Sequence, residues 1–198
     1  MPRAIVFSDS HGDYEALERI MESHCENAEL FIHLGDGERE LEYLRYVYPE
    51  KKILFVRGNC DYASSAPDYD LVDFCGKRIF FTHGYLYGVK SGTEQIVEEA
   101  HKHAADILLF GHTHLPLVER SGELYIMNPG SCSLPRSGAR KSAGKQRCGH
   151  ACQAVHPREQ RLSGKPERAH GVPAHPADSG DGARAACGAR HSRGAGSG

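Results

Sequence analysis

No apolar run in this chain approaches the roughly 18 residues that a membrane-spanning helix needs, which sets aside a helical transmembrane protein. The start carries no charged region followed by an apolar core and a small-residue cleavage site, because Met1-Pro2-Arg3 leads straight into a β-forming run. The seven cysteines are an odd number. Cys25, Cys60, Cys75 and Cys132 have neither the spacing nor the context of a secreted disulfide framework. These absences predict a soluble, cytoplasmic chain with reduced thiols. Residues 137–198 lack Phe, Tyr, Trp, Ile and Met, with Val155, Leu162 and Val172 as their only sizeable aliphatics. Such a segment cannot bury enough apolar surface to offset chain entropy.

The weak overall charge of −2 hides two unlike parts. Residues 1–136 hold 13 Lys+Arg against 22 Asp+Glu, a balance of −9, and residues 137–198 hold 11 against 4, a balance of +7. We therefore expect a folded acidic domain over 1–136 and a disordered, basic, Gly/Ala/Arg-rich tail over 137–198. Half of the tail is Ala, Gly and Arg, the composition that GC-rich codons give when read out of frame. This predicts a frameshift near Arg136, and another frame of the gene would then encode an apolar β pattern. The tail's basic residues have no aromatics among them to stack on bases, which argues against nucleic-acid binding. Cys148, His150 and Cys152 have the look of a zinc half-site, but Cys187 is the only further cysteine there, and chance explains them better.

Within 1–136, Ala4 to Phe7 reads as a buried strand, and Asp13 as the N-cap of a helix to about Cys25 with Tyr14, Leu17, Ile20, Met21 and His24 at helical spacing. Leu30 to Leu34 is a second strand, Glu38 to about Tyr48 a second helix and Ile53 to Val56 a third strand. That alternation implies parallel strands with helical crossovers. Tyr69 to Phe74 and Arg78 to Thr82 flank Cys75-Gly76-Lys77, a hairpin pattern. A helix from Thr93 to about His103 turns Ile96, Val97 and Ala100 inward, and the strand Ile107 to Phe110 follows. Leu115 to Arg120 and Leu124 to Asn128 suggest a second hairpin. The whole is mixed α/β, with two sheets face to face and helices outside.

Each of five apolar runs ends in residues that bind metals: Asp9 and His11, then Asp36, Asn59, His83, and His112 with His114. In an open α/β sheet, ligands gather outside the strand ends. Taken singly, each cluster has an ordinary structural reading. Asp-Ser-His-Gly can cap the coming helix, Gly35-Asp36-Gly37 is a turn, and a histidine at a strand end is usually satisfied locally. Asp36 between glycines, however, can approach two cations, because neither neighbour has a side chain in the way. Cys60, without a Cys-x-x-Cys partner, is a weak case for a ligand or nucleophile. Jointly, five turns presenting ligand types in one acidic domain point to a metal site. Mixed Asp, Asn and His ligation suits Mn²⁺, Fe or Zn²⁺ better than all-oxygen Mg²⁺ or Ca²⁺, and seven ligands fit two ions better than one.

The motifs Ser8-Asp9-Ser10-His11-Gly12, Gly35-Asp36-Gly37, Gly58-Asn59-Cys60-Asp61, His83-Gly84 and Gly111-His112-Thr113-His114, in this order, resemble the calcineurin-like metallophosphoesterases, within them the small YfcE-type phosphodiesterases. The resemblance spans Ala4 to Arg136, and Asn128-Pro129-Gly130-Ser131 resembles a later loop of the same family. It implies a four-layer α-β-β-α sandwich of two mixed sheets. It also implies a dinuclear site in which Asp9, His11 and His114 hold one ion, Asn59, His83 and His112 the other, and Asp36 bridges them. Two divalent ions are then the cofactor, Mn²⁺ first, with Fe, Zn²⁺, Ni²⁺ or Mg²⁺ as further candidates.

The implied activity is hydrolysis of a small phosphodiester by in-line attack of hydroxide held by the two ions. No catalytic side chain is required beyond the ligands, with Asn59 and Cys60 as contributors. Cys60 stands where many relatives have a histidine that protonates the leaving group, so diesters with acidic leaving groups should outperform alkyl monoesters. The subfamily also suggests a homodimer. One departure is that the strands expected after Arg136 are missing from the sequence pattern. The competing reading is a scaffold of the same fold that binds protein partners without catalysis, although such scaffolds tend to lose ligands and this set is complete.

Overall fold

Ile5, Phe7, Phe31, Ile53 and Phe55 lie on one face of a sheet, while Ala4, Val6, Leu30 and Ile32 lie on the other. That alternation is the period-2 geometry of strands, and here both faces are covered. The computed structural model describes residues 2–136 and, by its backbone, the strand Gln153–Val155. In the first sheet β1 (Ala4–Phe7) pairs parallel with β2 (Leu30–His33), and β2 pairs parallel with β3 (Lys52–Phe55). The crossovers are α1 (Tyr14–His24) and α2 (Glu38–Val47). Asp13 caps α1 as its residue type suggests, its Oδ1 accepting from the Ala16 N–H at 2.9 Å. Leu17, Ile20 and Met21 of α1 and Leu41 and Leu44 of α2 pack on Ile5, Phe7, Phe31, Ile53 and Phe55.

The second sheet has the order β4-β5-β6-β8-β7. Its members are β4 (Tyr69–Phe74), β5 (Lys77–Thr82), β6 (Ile107–Phe110), β7 (Leu117–Ser121) and β8 (Leu124–Asn128). The two expected hairpins, β4-β5 and β7-β8, are antiparallel, whereas β5, β6 and β8 run parallel. Ile79, Phe81, Ile107, Leu109 and Met127 face Ala4, Val6, Leu30 and Ile32 of the first sheet. Phe80, Leu108, Phe110 and Ile126 face outward under α3 (Glu94–Lys102), against Ile96 and Ala100. The result is the four-layer α-β-β-α sandwich. Each fully buried Leu, Ile or Phe contributes about 1.5–3 kcal/mol, and the inter-sheet layer alone supplies many of them.

Three details differ from the sequence reading. Val97 is half-buried and Tyr14 is 42% exposed, so each helix presents a narrower apolar stripe than expected. Element ends move by one or two residues, which is the usual spread. After Arg136 one short strand, β9 (Gln153–Val155), adds antiparallel to β1 in the register Ala4↔Val155, Ile5↔Ala154 and Val6↔Gln153. Backbone groups alone make such a pairing, so no side-chain pattern announces it. The expectations of a disordered tail and of a frameshift otherwise fall outside the described residues.

The architecture matters for what it places together. β1, β2 and β3 run parallel, as do β5, β6 and β8. Their C-terminal ends carry all the loops singled out above.

Candidate metal centre

Five of the seven expected ligands take a backbone conformation that L-residues avoid. Asp9 (φ 57°), His11 (φ 44°), Asp36 (φ 59°), His112 (φ 66°) and His114 (φ 61°) are all left-handed; among the described residues only Ala63, Cys75 and Ala104 are further non-glycine cases. Each costs about 1–2 kcal/mol. Strain of this kind persists only where surrounding contacts over-determine it, and it gathers at functional sites.

The side chains converge as two groups. In the first, His114 Nε2 lies 3.1 Å from Asp9 Oδ1 and 3.2 Å from His11 Nε2, and His11 Nε2 lies 3.8 Å from Asp9 Oδ1. In the second, His83 Nε2 lies 3.2 Å from Asn59 Oδ1 and 3.1 Å from His112 Nδ1. Asp36 Oδ2 stands between them, 3.9 Å from His11 Nε2 and 3.5 Å from His83 Nε2. All seven residues are therefore brought together; Asp36 Oδ2 faces both groups, and Asp9 Oδ1 itself lies 4.0 Å from His83 Nε2.

Neighbouring groups decide which donor atoms remain free. Asp9 Oδ2 accepts from the Ser8 hydroxyl at 2.5 Å and the His112 N–H at 3.1 Å. Asp9 Oδ1 is buried with no hydrogen-bond partner. A buried carboxylate oxygen left unpaired costs several kcal/mol unless a cation meets it. The Leu34 carbonyl lies 2.7 Å from His83 Nδ1 and the Leu134 carbonyl 3.1 Å from His114 Nδ1. Both Nδ1 atoms must donate there, which leaves each Nε2 lone pair turned to the centre, the outer-shell arrangement that metal-bound histidines use. The orphaned oxygen, the fixed tautomers and the mixed oxygen–nitrogen donors fit divalent metal ions.

Residues not counted among the expected ligands hold the loops. Asp61 accepts from the N–H groups of Asp36 (2.7 Å), Gly37 (2.9 Å), Glu38 (3.0 Å) and Gly58 (2.7 Å). It fastens the Asp36 turn to the Asn59 turn. Gly58 is required because a Cβ there would collide with Asp36 Oδ1. Ser131 and Ser133 donate to the Asp9 carbonyl at 2.7 and 3.0 Å. Asn128 Nδ2 donates to the Gly111 carbonyl at 2.8 Å and so ties down the His112 turn. On the far side, the Gly35 N–H donates to His33 Nδ1 at 3.0 Å, so His33 Nε2 carries the proton towards Ser10 Oγ at 3.1 Å, and Ser10 donates to Glu40 at 3.0 Å. Of these, Asp61 left the clearest signal, as an acidic residue three beyond a glycine turn.

Electrostatics follow from this crowding. Burial works to raise the Asp9 carboxyl, but the closeness of His114, with His83 and Ser8, outweighs it and holds the group below its ordinary value. Asp36 is likewise opposed by burial, yet His83 and the Cys60 contacts keep it well below the carboxylate range. Burial works to lower His83, but Asp36 and Asp9 raise it, and His114 is raised chiefly by Asp9. Burial, with His83 and Lys90, takes His112 down to about 4. Burial and Asp36 push the Cys60 thiol up to about 11, so at neutral pH it is a protonated thiol and a poor nucleophile.

Two open clefts meet at His11. One, of about 360 Å³, runs past Asp36, Arg39, Cys60 and Tyr62; the other, of about 580 Å³, runs past Tyr14, Ser133 and Leu134.

Comparison with known proteins identifies the family. The family model of the calcineurin-like phosphoesterase superfamily domain matches residues 3–145. The phosphodiesterase YfcE of Escherichia coli is 33% identical, over 73% of this chain and 86% of its own. The probable metallophosphoesterase YsnB of Bacillus subtilis is 35% identical, over 67% and 76%. Among solved structures, a conserved Streptococcus pneumoniae protein described as a predicted phosphoesterase superposes with a TM-score of 0.65 at 29% identity, covering 78% of this chain and 83% of that one.

Proposed function

Because the chain belongs to the calcineurin-like phosphoesterase superfamily, and is thereby a metal-dependent phosphoesterase, we propose that it hydrolyses phosphodiesters at a dinuclear centre. Asp9, His11 and His114 would hold one ion, Asn59, His83 and His112 the other, and Asp36 both. The observation that most supports this is the position of Asp36 Oδ2 within 4 Å of both His11 and His83, beside an unpartnered Asp9 Oδ1. Bound there, two divalent cations supply Lewis acidity that acidifies water and neutralises phosphoryl oxygens.

The chain's own contribution is to pre-organise that chemistry. Ser8 and the His112 N–H hold one oxygen of Asp9 so that the other faces inward. The Leu34 and Leu134 carbonyls orient two imidazoles, and Asn59 adds a neutral oxygen to a centre already holding two carboxylates. Ligation needs the neutral imidazoles of His83 and His114, whose hold on a proton is raised by the carboxylates, so metal uptake competes with protonation. No side chain in the centre is a strong proton donor for a poor leaving group, since His112 is neutral and the Cys60 thiol is held protonated. Diesters with acidic leaving groups are therefore the preferred substrates. Mn²⁺ is the first metal to test, and the free thiols of Cys25, Cys60, Cys75 and Cys132 accord with a cytoplasmic setting.

The test is hydrolysis of a chromogenic aryl diester with and without Mn²⁺. Metal-dependent turnover is expected, exceeding that of an alkyl monoester, with Asp36→Ala and His112→Ala each lowering kcat/KM at least about hundredfold, more than loss of an outer-shell partner costs. A folded protein with no metal-dependent turnover would favour the scaffold reading instead.

A further inference from the structure

A phosphodiester differs from a monoester in having two organic arms, and the structure has a cleft on each side of the centre. Both are lined by His11 and Gly12, so they open from the same point. The first passes Cys60 and includes Tyr62, which is 86% exposed. The second passes Ser133 and Leu134 and is walled by Tyr14, whose ring is braced edge-on against Tyr43 at 5.6 Å. Each cleft thus carries one aromatic wall at a distance from the metal ligands.

The charges along the clefts narrow the choice of arm. Glu38 and Asp61 line the first, with Arg39 its only lining cation, and Asp13 and Glu15 line the second. Glu38 is held by the Ser64 hydroxyl at 2.6 Å, and Asp13 is held at the N-terminus of α1. Glu38, Asp13 and Asp61 are so held in place, and with Glu15 they repel a further anionic group on the substrate, while planar uncharged rings can stack on the tyrosines.

We infer that this centre takes a diester with two uncharged, planar arms, one seated against Tyr62 and the other against Tyr14. The inference rests on the phosphodiesterase reading for its chemistry but concerns binding, and the two can be separated by experiment. Diphenyl phosphate and phenyl phosphate are used as competitive inhibitors of the Mn²⁺-loaded enzyme, and their direct binding is measured by calorimetry. Tyr62→Ala and Tyr14→Ala should each weaken diphenyl phosphate about fivefold, the loss of one aromatic contact. Each should weaken phenyl phosphate less, because its single ring can occupy the other cleft. Tyr46→Ala, which removes an 85% exposed tyrosine of α2 that lines neither cleft, serves as control and should change neither constant.

Equal losses for both ligands, no loss in either variant, or a loss as large in Tyr46→Ala would overturn the inference. If the tyrosine-dependent preference for diphenyl phosphate appears but the wild type turns over no aryl diester, the two-cleft inference stands and the phosphodiesterase reading falls.

Discussion

Asp61 accepts four backbone N–H bonds and is none of the seven candidate ligands. Replacing it by Ala leaves those groups unpaired in a partly buried turn, so Asp61→Ala should lose about 2–4 kcal/mol of stability in urea unfolding. It should also weaken Mn²⁺ binding about 10–100-fold by calorimetry, and unchanged affinity would mean that the turn is held some other way. His33 makes a second residue-scale case. Burial lowers it from 6.5 to about 4, so the unfolded chain takes up the proton first. Its contribution is complete above about pH 6.5, shrinks as pH falls through that window and is gone below about 4, a change on the order of 3 kcal/mol. His33→Asn should flatten the pH dependence of unfolding between pH 7 and 5, and an unaltered slope would place the titration elsewhere. The seven candidate ligands that converge were legible because each is a metal-binding type directly beyond an apolar run. The roles of Asp61 and His33 were less legible, because they act on backbone groups that meet only once the loops have folded, and that of Ser8 because it serves a neighbouring carboxylate.

At the scale of elements, the order of strands and helices followed from periodicity, since each run is short, apolar and closed by glycine or acidic residues. The Cys75-Gly76 hairpin was readable too, and both residues have the positive φ, 53° and 74°, that such a two-residue turn demands. The pairing of the second sheet was less legible, since β8 rather than β7 lies beside β6 and a strand's own residues do not name its neighbour. β9 was invisible because its three residues join β1 through backbone pairing. The packing gives its own prediction. Leu109, fully buried between the sheets, should cost about 2–5 kcal/mol as Leu109→Ala, read as a lower urea midpoint with the metal-free protein. A change below about 1 kcal/mol would argue that the sheets are not packed through that layer.

On the scale of the molecule, two sheets bring their parallel strands to end along one edge, and residues separated by up to 105 positions, Asp9 and His114, come to lie 3.1 Å apart. The strain of five left-handed candidate ligand residues is carried by Ser8, Asp61, Asn128, Ser131 and Ser133 around them. The central claim is that this framework holds two ions through one bridging carboxylate. It is tested most directly by titrating the metal-free protein with Mn²⁺ while recording electron paramagnetic resonance. The wild type should bind two ions per chain with a spin-coupled signal, and Asp36→Ala should lose the coupling and at least one ion. A single uncoupled ion in the wild type, or coupling that survives in Asp36→Ala, would contradict the account.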